Sequence, residues 1–203
     1  MKFLKWNNIR LILMFALVVF LYSFTSNRNS HRKLKKSEVI FVGDNNNFVK
    51  QESVNKLLIE NSSDVKTIEK SDLNLNKLEN SINKHPMVEK SEVFVSVDGV
   101  LKAVVKQKTP IARVFSEEGS FYIDYEGNRM PLSDISTARV PLISGVIDNK
   151  NKKKLSEVLK MIYNDEFLKK NIIGVQVLPD ASLMMTNRNY DFKIEFGKMM
   201  NEE

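Results

Sequence analysis

The sequence predicts an α+β protein with a single N-terminal transmembrane helix, a small strand–helix–helix–strand–strand module, and a mostly antiparallel β domain with one helix. Three observations lead to this prediction. Residues 11–22 are an unbroken apolar run, residues 89–113 form a hairpin pattern around Asp98-Gly99, and 203 residues suffice for two small domains. The predicted divisions are 1–10, 11–24, 25–36, 37–110 and 111–203: a short N-terminus, the anchor, a basic tether, the module and the β domain.

The apolar run predicts a membrane anchor. It consists of Leu11, Ile12, Leu13, Met14, Phe15, Ala16, Leu17, Val18, Val19, Phe20, Leu21 and Tyr22. A run of this length also fits a signal peptide or a buried helix, because a bilayer core takes about 20 residues. An uncleaved anchor is favoured, because residues 23–25 are a poor cleavage site and Trp6 and Tyr22 lie where interfacial aromatics are expected. Three basic side chains precede the run and five follow it, so charge alone leaves the orientation open.

The positive charge of the chain is concentrated around this run. The chain has 31 basic and 25 acidic side chains, and its first 36 residues contain eight of the basic ones and none of the acidic ones. The remaining residues therefore carry 23 basic and 25 acidic groups. A nucleic-acid surface would need basic residues that follow the phosphates, so this distribution argues against nucleic acid as a partner and indicates a membrane-flanking segment.

A complete small domain is predicted after the anchor. Residues 27–36 are polar and basic without periodicity, which predicts a flexible tether near the lipid headgroups. A strand over 37–42 and a helix over 50–60 follow, and a second helix runs from a predicted N-cap at Asp72 to the residues before Pro86. With the hairpin, two helices cover one face of a three-stranded sheet.

Two registers fit the hairpin. A two-residue loop at Asp98-Gly99 would place the valines of the first strand on one face with Lys102. A three-residue loop, or a bulge at Gly99, would give a fully apolar face, and this register is favoured. The residues of that face are Val93, Val95, Val97, Leu101, Ala103 and Val105.

The second domain is predicted from short strands and one amphipathic helix. Residues 141–145 are predicted to be a buried edge that closes with a turn. The helix is predicted over 152–163. The other predicted strands are 121–124, 128–130, 172–178, 183–186 and 192–196.

The sequence contains no recognisable catalytic constellation. It has no cysteine and two histidines: His31 in the tether, and His85 at a helix end, where an interaction with the helix dipole is expected. The acidic pairs Glu117-Glu118 and Asp124/Glu126 flank turns and are expected to be solvated. We therefore expect no enzyme activity, no metal, no cofactor and no small-molecule substrate. Sheet edges that add a strand from a partner remain as functional surfaces.

The order of these parts resembles the bacterial cell-division family FtsQ/DivIB, whose first module is a POTRA domain. The resemblance spans residues 10–197, nearly the whole chain. The stretches that carry it are 39–43 (VIFVG), 85–88 (HPMV), 101–105, 109–113 (TPIAR), 122–127 (YIDYEG), 140–145 (VPLISG) and 193–197 (KIEFG).

The resemblance implies a non-enzymatic scaffold of the division machinery at the septum. It implies a cytoplasmic N-terminus, extracytoplasmic domains, the lipid bilayer and proteins of the FtsB and FtsL type as partners, and control of septal peptidoglycan synthesis. The family's recruitment strand corresponds to Lys90, Val93 and Val95. The family's partner-binding region at the end of the β domain lies close to Phe192, Lys193, Ile194, Glu195 and Phe196.

One departure from the family pattern concerns the C-terminal end. In the family, a helix and a final strand follow the strand that residues 192–196 resemble, and the FtsB-type partner adds to that final strand. Here residue 203 comes shortly after, so we expect either a truncated chain or a lost site, with residues 192–196 left as an exposed edge. The alternative function is a POTRA-type chaperone or translocation module that captures extended chains by strand addition.

Overall fold

The computed structural model describes residues 6–43, 48–59, 65–116, 119–145, 147 and 151–198. Its first element is helix α1 (Trp6–Ser30), which contains the whole apolar run. The stretch Asn8–Ser30 is long and apolar enough to cross a membrane, and none of its apolar window is buried against the rest of the protein. At 1.5 Å per residue this 25-residue helix is about 38 Å long, so it exceeds the ~30 Å hydrocarbon core of a bilayer.

The basic segment after α1 is bound to the next domain, so the prediction of a flexible tether is wrong for residues 32–35. Leu34 is only 2% exposed, and its N–H donates to the carbonyl of Ile68 at 3.0 Å. The N–H of Lys35 donates to the carbonyl of Gly99 at 2.8 Å. The physical reason is Leu34 itself, an apolar side chain whose burial in the domain core is favourable.

The first domain has the predicted element order. The strands form one sheet in the order β1-β3-β2, with β1 parallel and β2 antiparallel to β3. Helix α3 begins at Asn74, whose side chain accepts a hydrogen bond from the N–H of Lys77 at 2.9 Å. The predicted N-cap at Asp72 is therefore wrong, since Asp72 ends a short 3-10 helix. The elements are β1 (Lys36–Val42), α2 (Gln51–Ile59), 3-10 helices Val65–Thr67 and Lys70–Asp72, α3 (Leu75–Asn83), β2 (Val88–Val95) and β3 (Val100–Gln107).

Strands β2 and β3 pair in the favoured register. Their loop is the three residues Val97–Gly99, and Gly99 has a φ of +86°, the left-handed conformation that this loop needs at its last position. Val97 lies in the loop and is 91% exposed, so its placement on the apolar face is wrong. The paired residues of the apolar face are Val95 with Leu101, Val93 with Ala103, and Ser91 with Val105.

The second domain is a seven-stranded sheet in the order β10-β9-β8-β7-β4-β5-β6. Helices α4 and α5 cover one face of it, and their apolar side chains share a core with all but the shortest strand. The mixed α+β class is confirmed, whereas the boundaries between the parts stay predictions. The elements are β4 (Pro110–Ser116), β5 (Gly119–Asp124), β6 (Arg129–Met130), β7 (Leu142–Gly145), α4 (Lys152–Asn164), α5 (Glu166–Asn171), β8 (Ile172–Val177), β9 (Ser182–Asn187) and β10 (Lys193–Lys198).

Three features of this sheet differ from the prediction. Strand β4 and the short helix α5, whose N-cap Asp165 accepts from the N–H of Leu168 at 2.8 Å, were not predicted. Strand β7 is not an edge, because it lies between β4 and β8 and is parallel to both. Its last residue, Gly145, has a φ of +97°, and a Cβ there would collide with the carbonyl of Val177 on β8. Only glycine permits this close approach.

The two domains pack together through a hydrophobic cluster that contains residues of both. The rings of Phe48 and Tyr122 lie 6.3 Å apart between centroids. The hydroxyl of Ser133 donates to the Phe48 carbonyl at 2.9 Å, and the Tyr122 hydroxyl accepts from the N–H of Ala138 at 3.0 Å. Gln107 Oε1 accepts from the N–H of Phe48 at 2.8 Å. The Ser133–Phe48 hydrogen bond and the apolar packing connect the two domains, whereas the other two hydrogen bonds hold Phe48 and Tyr122 in place from within their own domains.

Candidate partner-binding surfaces

Strand β10 is an outer strand of the seven-stranded sheet and, among the described strands, pairs with β9 alone. Phe192 and Phe196 are 54% and 55% exposed. Lys193 and Glu195 are also exposed, whereas Ile194 is half-buried and packs against the domain core. The structure thus places the five residues predicted at this edge along one strand border. An outer strand presents backbone N–H and C=O groups that another strand can bind.

A β-bulge shapes this edge. The register between β10 and β9 shifts between Glu195 and Gly197, so Phe196 is an extra residue without an opposing partner on β9. Gly197 has a φ of +76°, which allows the backbone to turn after the bulge. Next to the strand, the rings of Tyr190 and Phe192 stack with their centroids 5.3 Å apart. The edge therefore combines free backbone with exposed aromatic side chains.

The predicted recruitment strand β2 is divided between exposed and buried residues. Lys90 is exposed and forms an ion pair with Glu92 at 3.1 Å. Val93 is 7% exposed and belongs to the core of the first domain, and Val95 is half-buried. A partner can contact the side chain of Lys90 directly, but the Val93 side chain is covered by the fold.

The outer border of β2 is covered by side chains of α3. The N–H of Ser91 donates to Asn83 Oδ1 at 2.7 Å, and the Ser91 hydroxyl donates to the same oxygen at 2.9 Å. The N–H of Val93 donates to Glu79 Oε2 at 3.3 Å. These N–H groups are the ones that an added strand would need, so β2 is protected against strand addition over this length.

An exposed apolar pair on the seven-stranded sheet was not predicted. Phe115 is 68% exposed and Leu142 is 46% exposed. Leu142 pairs with Arg113 on the neighbouring strand β4, so Leu142 and Phe115 are diagonal neighbours on one face. That face is opposite to the one that α4 covers, because buried Val114 alternates with Phe115. The alternation of side chains along β4 was the sequence signal that could have indicated this exposed face, but β4 itself was not predicted.

A groove of about 930 Å³ lies between α4 and strand β5. Its wall contains the apolar side chains of Phe121, Ile123 and Leu155. The guanidinium carbon of Arg129 lies 4.2 Å from the centre of the Phe121 ring, and Lys152 lines the rim. Within the described ranges, no group of three or more His, Cys, Asp or Glu residues lies close enough to hold a metal ion.

The histidines occupy separate structural positions. His31 Nδ1 lies 3.0 Å from Glu69 Oε2 on the surface. His85 accepts a hydrogen bond at Nδ1 from the N–H of Met87 at 3.3 Å, in the corner between α3 and β2. Burial lowers the pKa of His85 below its ordinary value of 6.5. The neutral ring is therefore favoured, and the expected charge–dipole interaction with the helix end is not supported.

Asp124 is buried rather than solvated, which corrects the prediction for this turn. It is 2% exposed and accepts from the N–H of Asn128 at 2.7 Å. Its other carboxylate oxygen lies 3.0 Å from the Lys108 ammonium. A buried carboxylate is tolerated only with such partners, so Asp124 stabilises both the β5–β6 turn and the connection between the domains.

Two family models match successive parts of this chain. A model described as POTRA-like domain matches residues 35–106, and a model described as FtsQ/DivIB, C-terminal related, matches residues 109–203. A solved structure, the major extracytoplasmic domain of the bacterial cell division protein DivIB from Geobacillus stearothermophilus, is similar at 11% identity with a TM-score of 0.34. That alignment covers 44% of this chain and 78% of the DivIB chain. No curated protein matches the chain.

Proposed function

We propose that this chain, which matches a POTRA-like model and a model described as FtsQ/DivIB, C-terminal related, is a non-enzymatic scaffold of the bacterial division machinery. The observation that carries the proposal is the accessible border of β10, where exposed aromatic side chains flank the strand. A strand border flanked by exposed aromatic side chains is suited to binding a partner strand. It does not supply the acid, base and nucleophile that catalysis would need. In this role the protein links early and late division proteins and so controls septal peptidoglycan synthesis.

Helix α1 is the single membrane anchor in this proposal, with residues 11–22 as its apolar span in the cytoplasmic membrane and Tyr22 at the interface. The N-terminus is cytoplasmic, and both folded domains lie outside the membrane at the division septum. Long domains are exported largely regardless of flanking charge, so the five basic side chains after the run do not oppose this orientation.

The β10 border is the proposed site for a partner of the FtsB type. Strand addition would supply main-chain hydrogen bonds along residues 193–198, and Phe192 and Phe196 would bury their rings against the added segment. Lys193 and Glu195 point to the opposite face from Ile194, and their charges would select the register of the added strand.

The first domain contributes a second, smaller contact in this proposal. Lys90 is the member of the predicted recruitment set that a partner of the FtsL type or another division protein can reach. The contact would use side chains on the outer face of the hairpin, such as the 42% exposed Phe94, rather than the backbone of β2. The covered β2 border speaks against the alternative of a POTRA-type chaperone that captures extended chains at this strand.

The test is the localisation of a full-length N-terminal fluorescent fusion in dividing cells of its own bacterium. We expect a band at the constriction site, and we expect that deletion of residues 37–110 removes the band. Phe192→Asp with Phe196→Asp should keep the band but lose the FtsB-type partner from the septum, whereas the matched control Phe115→Asp should keep both. Uniform membrane fluorescence of the wild-type fusion would overturn the scaffold assignment.

A further inference from the structure

The loop of the β2–β3 hairpin lies beside the end of the membrane helix. Val97 lines a shallow groove together with Tyr22, Thr25 and Ser26 of α1. Two hydrogen bonds hold the loop in this position. Arg32 Nη1 donates to the Val97 carbonyl at 3.3 Å, and the Lys35 N–H donates to the Gly99 carbonyl at 2.8 Å. The loop is therefore fixed against the chain segment that leaves the membrane.

The position along α1 sets the depth of the loop. The apolar run ends at Tyr22, with Phe24 as its last large apolar neighbour. An aromatic residue at the end of an apolar span lies at the lipid–water interface. Val97 shares this groove with Tyr22 at the end of the apolar run and with Arg28 and Arg32 beyond it, which places its side chain on the headgroup side of the interface.

The exposure of Val97 fits this depth. Val97 is 91% exposed, which is the highest exposure among the large apolar side chains that the structure describes, including those of α1. Small and polar residues are the usual ones at the tip of a hairpin. A β-branched apolar residue at this position is therefore unfavourable when the tip lies in water. Transfer of the side chain into an interface removes this apolar surface from water.

The charges around the loop are mainly positive. Asp98 is the acidic residue of the loop, and a hydrogen bond from Ser96 holds the pKa of its carboxyl below the usual value. Glu38 and Glu69, on nearby elements, are paired with Lys36 and His31. A cluster of Lys and Arg beside a membrane span is attracted electrostatically to anionic headgroups of the leaflet that it faces. The basic side chains between the end of α1 and β1 are Arg28, Arg32, Lys33, Lys35 and Lys36.

We propose that Val97 and the basic residues 28–36 form a lipid-contact surface that holds the POTRA-like domain against the membrane. Val97 enters the interface, and Arg28, Lys33 and Lys35 contact the phosphates of anionic headgroups. The occupant is the lipid leaflet next to Tyr22. This inference goes beyond the proposed scaffold role and shares with it the premise that α1 spans the membrane.

The absence of cysteine makes a direct test simple, because one introduced cysteine is a unique labelling site. The full chain carrying Val97→Cys is spin-labelled and placed in nanodiscs of phosphatidylglycerol and phosphatidylcholine. Collision rates of the label are measured with oxygen, which partitions into lipid, and with a water-soluble nickel chelate. Leu17→Cys gives the value for the bilayer interior, and Phe115→Cys, on the distant sheet face, gives the value for water.

We expect the oxygen-to-chelate ratio at position 97 to lie between the two controls and several-fold above that at position 115. Adding Lys33→Gln and Lys35→Gln, or using phosphatidylcholine alone, should move it toward the value for water. A ratio at position 97 equal to that at position 115 would overturn the proposal. A ratio that neither change of charge affects would overturn headgroup binding. If the label at position 17 reports water, the shared premise of a membrane-spanning α1 fails instead.

Discussion

The two sheets of this protein each end in a strand that was predicted to contribute to partner binding, but the borders of these two strands differ. The outer border of β2 is occupied by Asn83 and Glu79 of the neighbouring helix. The border of β10 has no such cover among the described residues and is flanked by exposed Phe192 and Phe196. Whether a partner strand can add to an outer strand therefore depends on the element that lies beside the outer strand, rather than on that strand itself.

The difference follows from the side chains that each domain places near the border. Helix α3 lies along β2, and its amide and carboxylate oxygens are good acceptors for backbone N–H groups. Beside β10, the charged Lys193 and Lys198 and the bulge at Phe196 limit unspecific pairing without closing the edge. The border of the first domain is thus covered by side chains of its own helix, whereas the border of the second is accessible among the described residues.

The largest expected effect is on the open border. Phe192→Ala together with Phe196→Ala should weaken binding of the extracytoplasmic segment of an FtsB-type partner by about 2 kcal/mol or more, roughly 30-fold in Kd. The reason is that exposed aromatics at the centre of an interface contribute most of its energy. The measurement is a titration of the full chain in nanodiscs with the labelled segment.

The matched control for this prediction is Phe94→Ala, which removes a 42% exposed phenylalanine from the other sheet. It should leave the affinity of the FtsB-type segment unchanged. The double variant at β10 should retain its free energy of unfolding within about 0.5 kcal/mol, because both rings are more than half exposed. Equal losses of affinity for the control and the β10 variant would remove the distinction between the two borders.

A smaller effect is expected at the covered border. Asn83→Ala removes the acceptor of the Ser91 N–H and hydroxyl groups, and Ser91 is 1% exposed. We expect the free energy of unfolding of the first domain to fall by roughly 1–2 kcal/mol, because a buried donor is left unsatisfied. Urea unfolding with amide exchange at Ser91 and Val93 reports the change.

Asn80→Ala is the control on the same helix, since Asn80 is exposed and only its backbone carbonyl contributes a hydrogen bond to the helix end. It should change stability much less. If Asn83→Ala leaves the exchange of the Ser91 amide as slow as in the wild type, Asn83 is not what protects the border.

The smallest expected effect is a pH dependence confined to the covered border. Burial lowers the folded-state pKa of His85 below 6.5, so the unfolded chain binds this proton more readily than the folded chain. The contribution to stability is complete above pH 6.5 and is lost as the pH falls from there toward the folded pKa. Exchange rates of the β2 amides, corrected for intrinsic rates, should show weaker protection at pH 5.5 than at pH 7.5.

His85→Gln should remove this difference in β2. The amides of β10, a strand without histidine, should keep the same protection at both pH values in both proteins. A pH-dependent loss of protection of equal size in β10 would point to a global change rather than to His85.

The sequence predicted the parts of the fold that depend on local signals. The apolar run, the helices predicted over 50–60 and 152–163 and found over 51–59 and 152–164, and the hairpin register all follow from periodicity or turn chemistry near one another in the chain. The central position of β7 in the sheet could not be predicted from the sequence. Its four residues are too few to show an alternating pattern, and its parallel partner strands are distant in sequence. Helix α5 has six residues, too few for a periodic signal.

The candidate site was predictable to a similar extent. The five residues predicted to bind a partner lie at the β10 border, and their role stays a prediction. The covering of β2 depends on how α3 lies across the sheet, which no local pattern encodes. The bound segment after α1 did have a signal. Leu34 is a large apolar residue among basic ones, and such an isolated residue indicates burial rather than a free tether.

The joint between Phe48 and Tyr122 has a consequence for geometry at the cell surface. The segment around Leu34 is attached to the first domain, and the second domain is packed onto the first, so the path from Leu34 to β10 runs through packed elements. In the proposed scaffold, these packed elements would act as a spacer of set length. A partner strand that added to β10 would be held at one height above the bilayer, and a partner anchored beside it would need a stalk that matches this height.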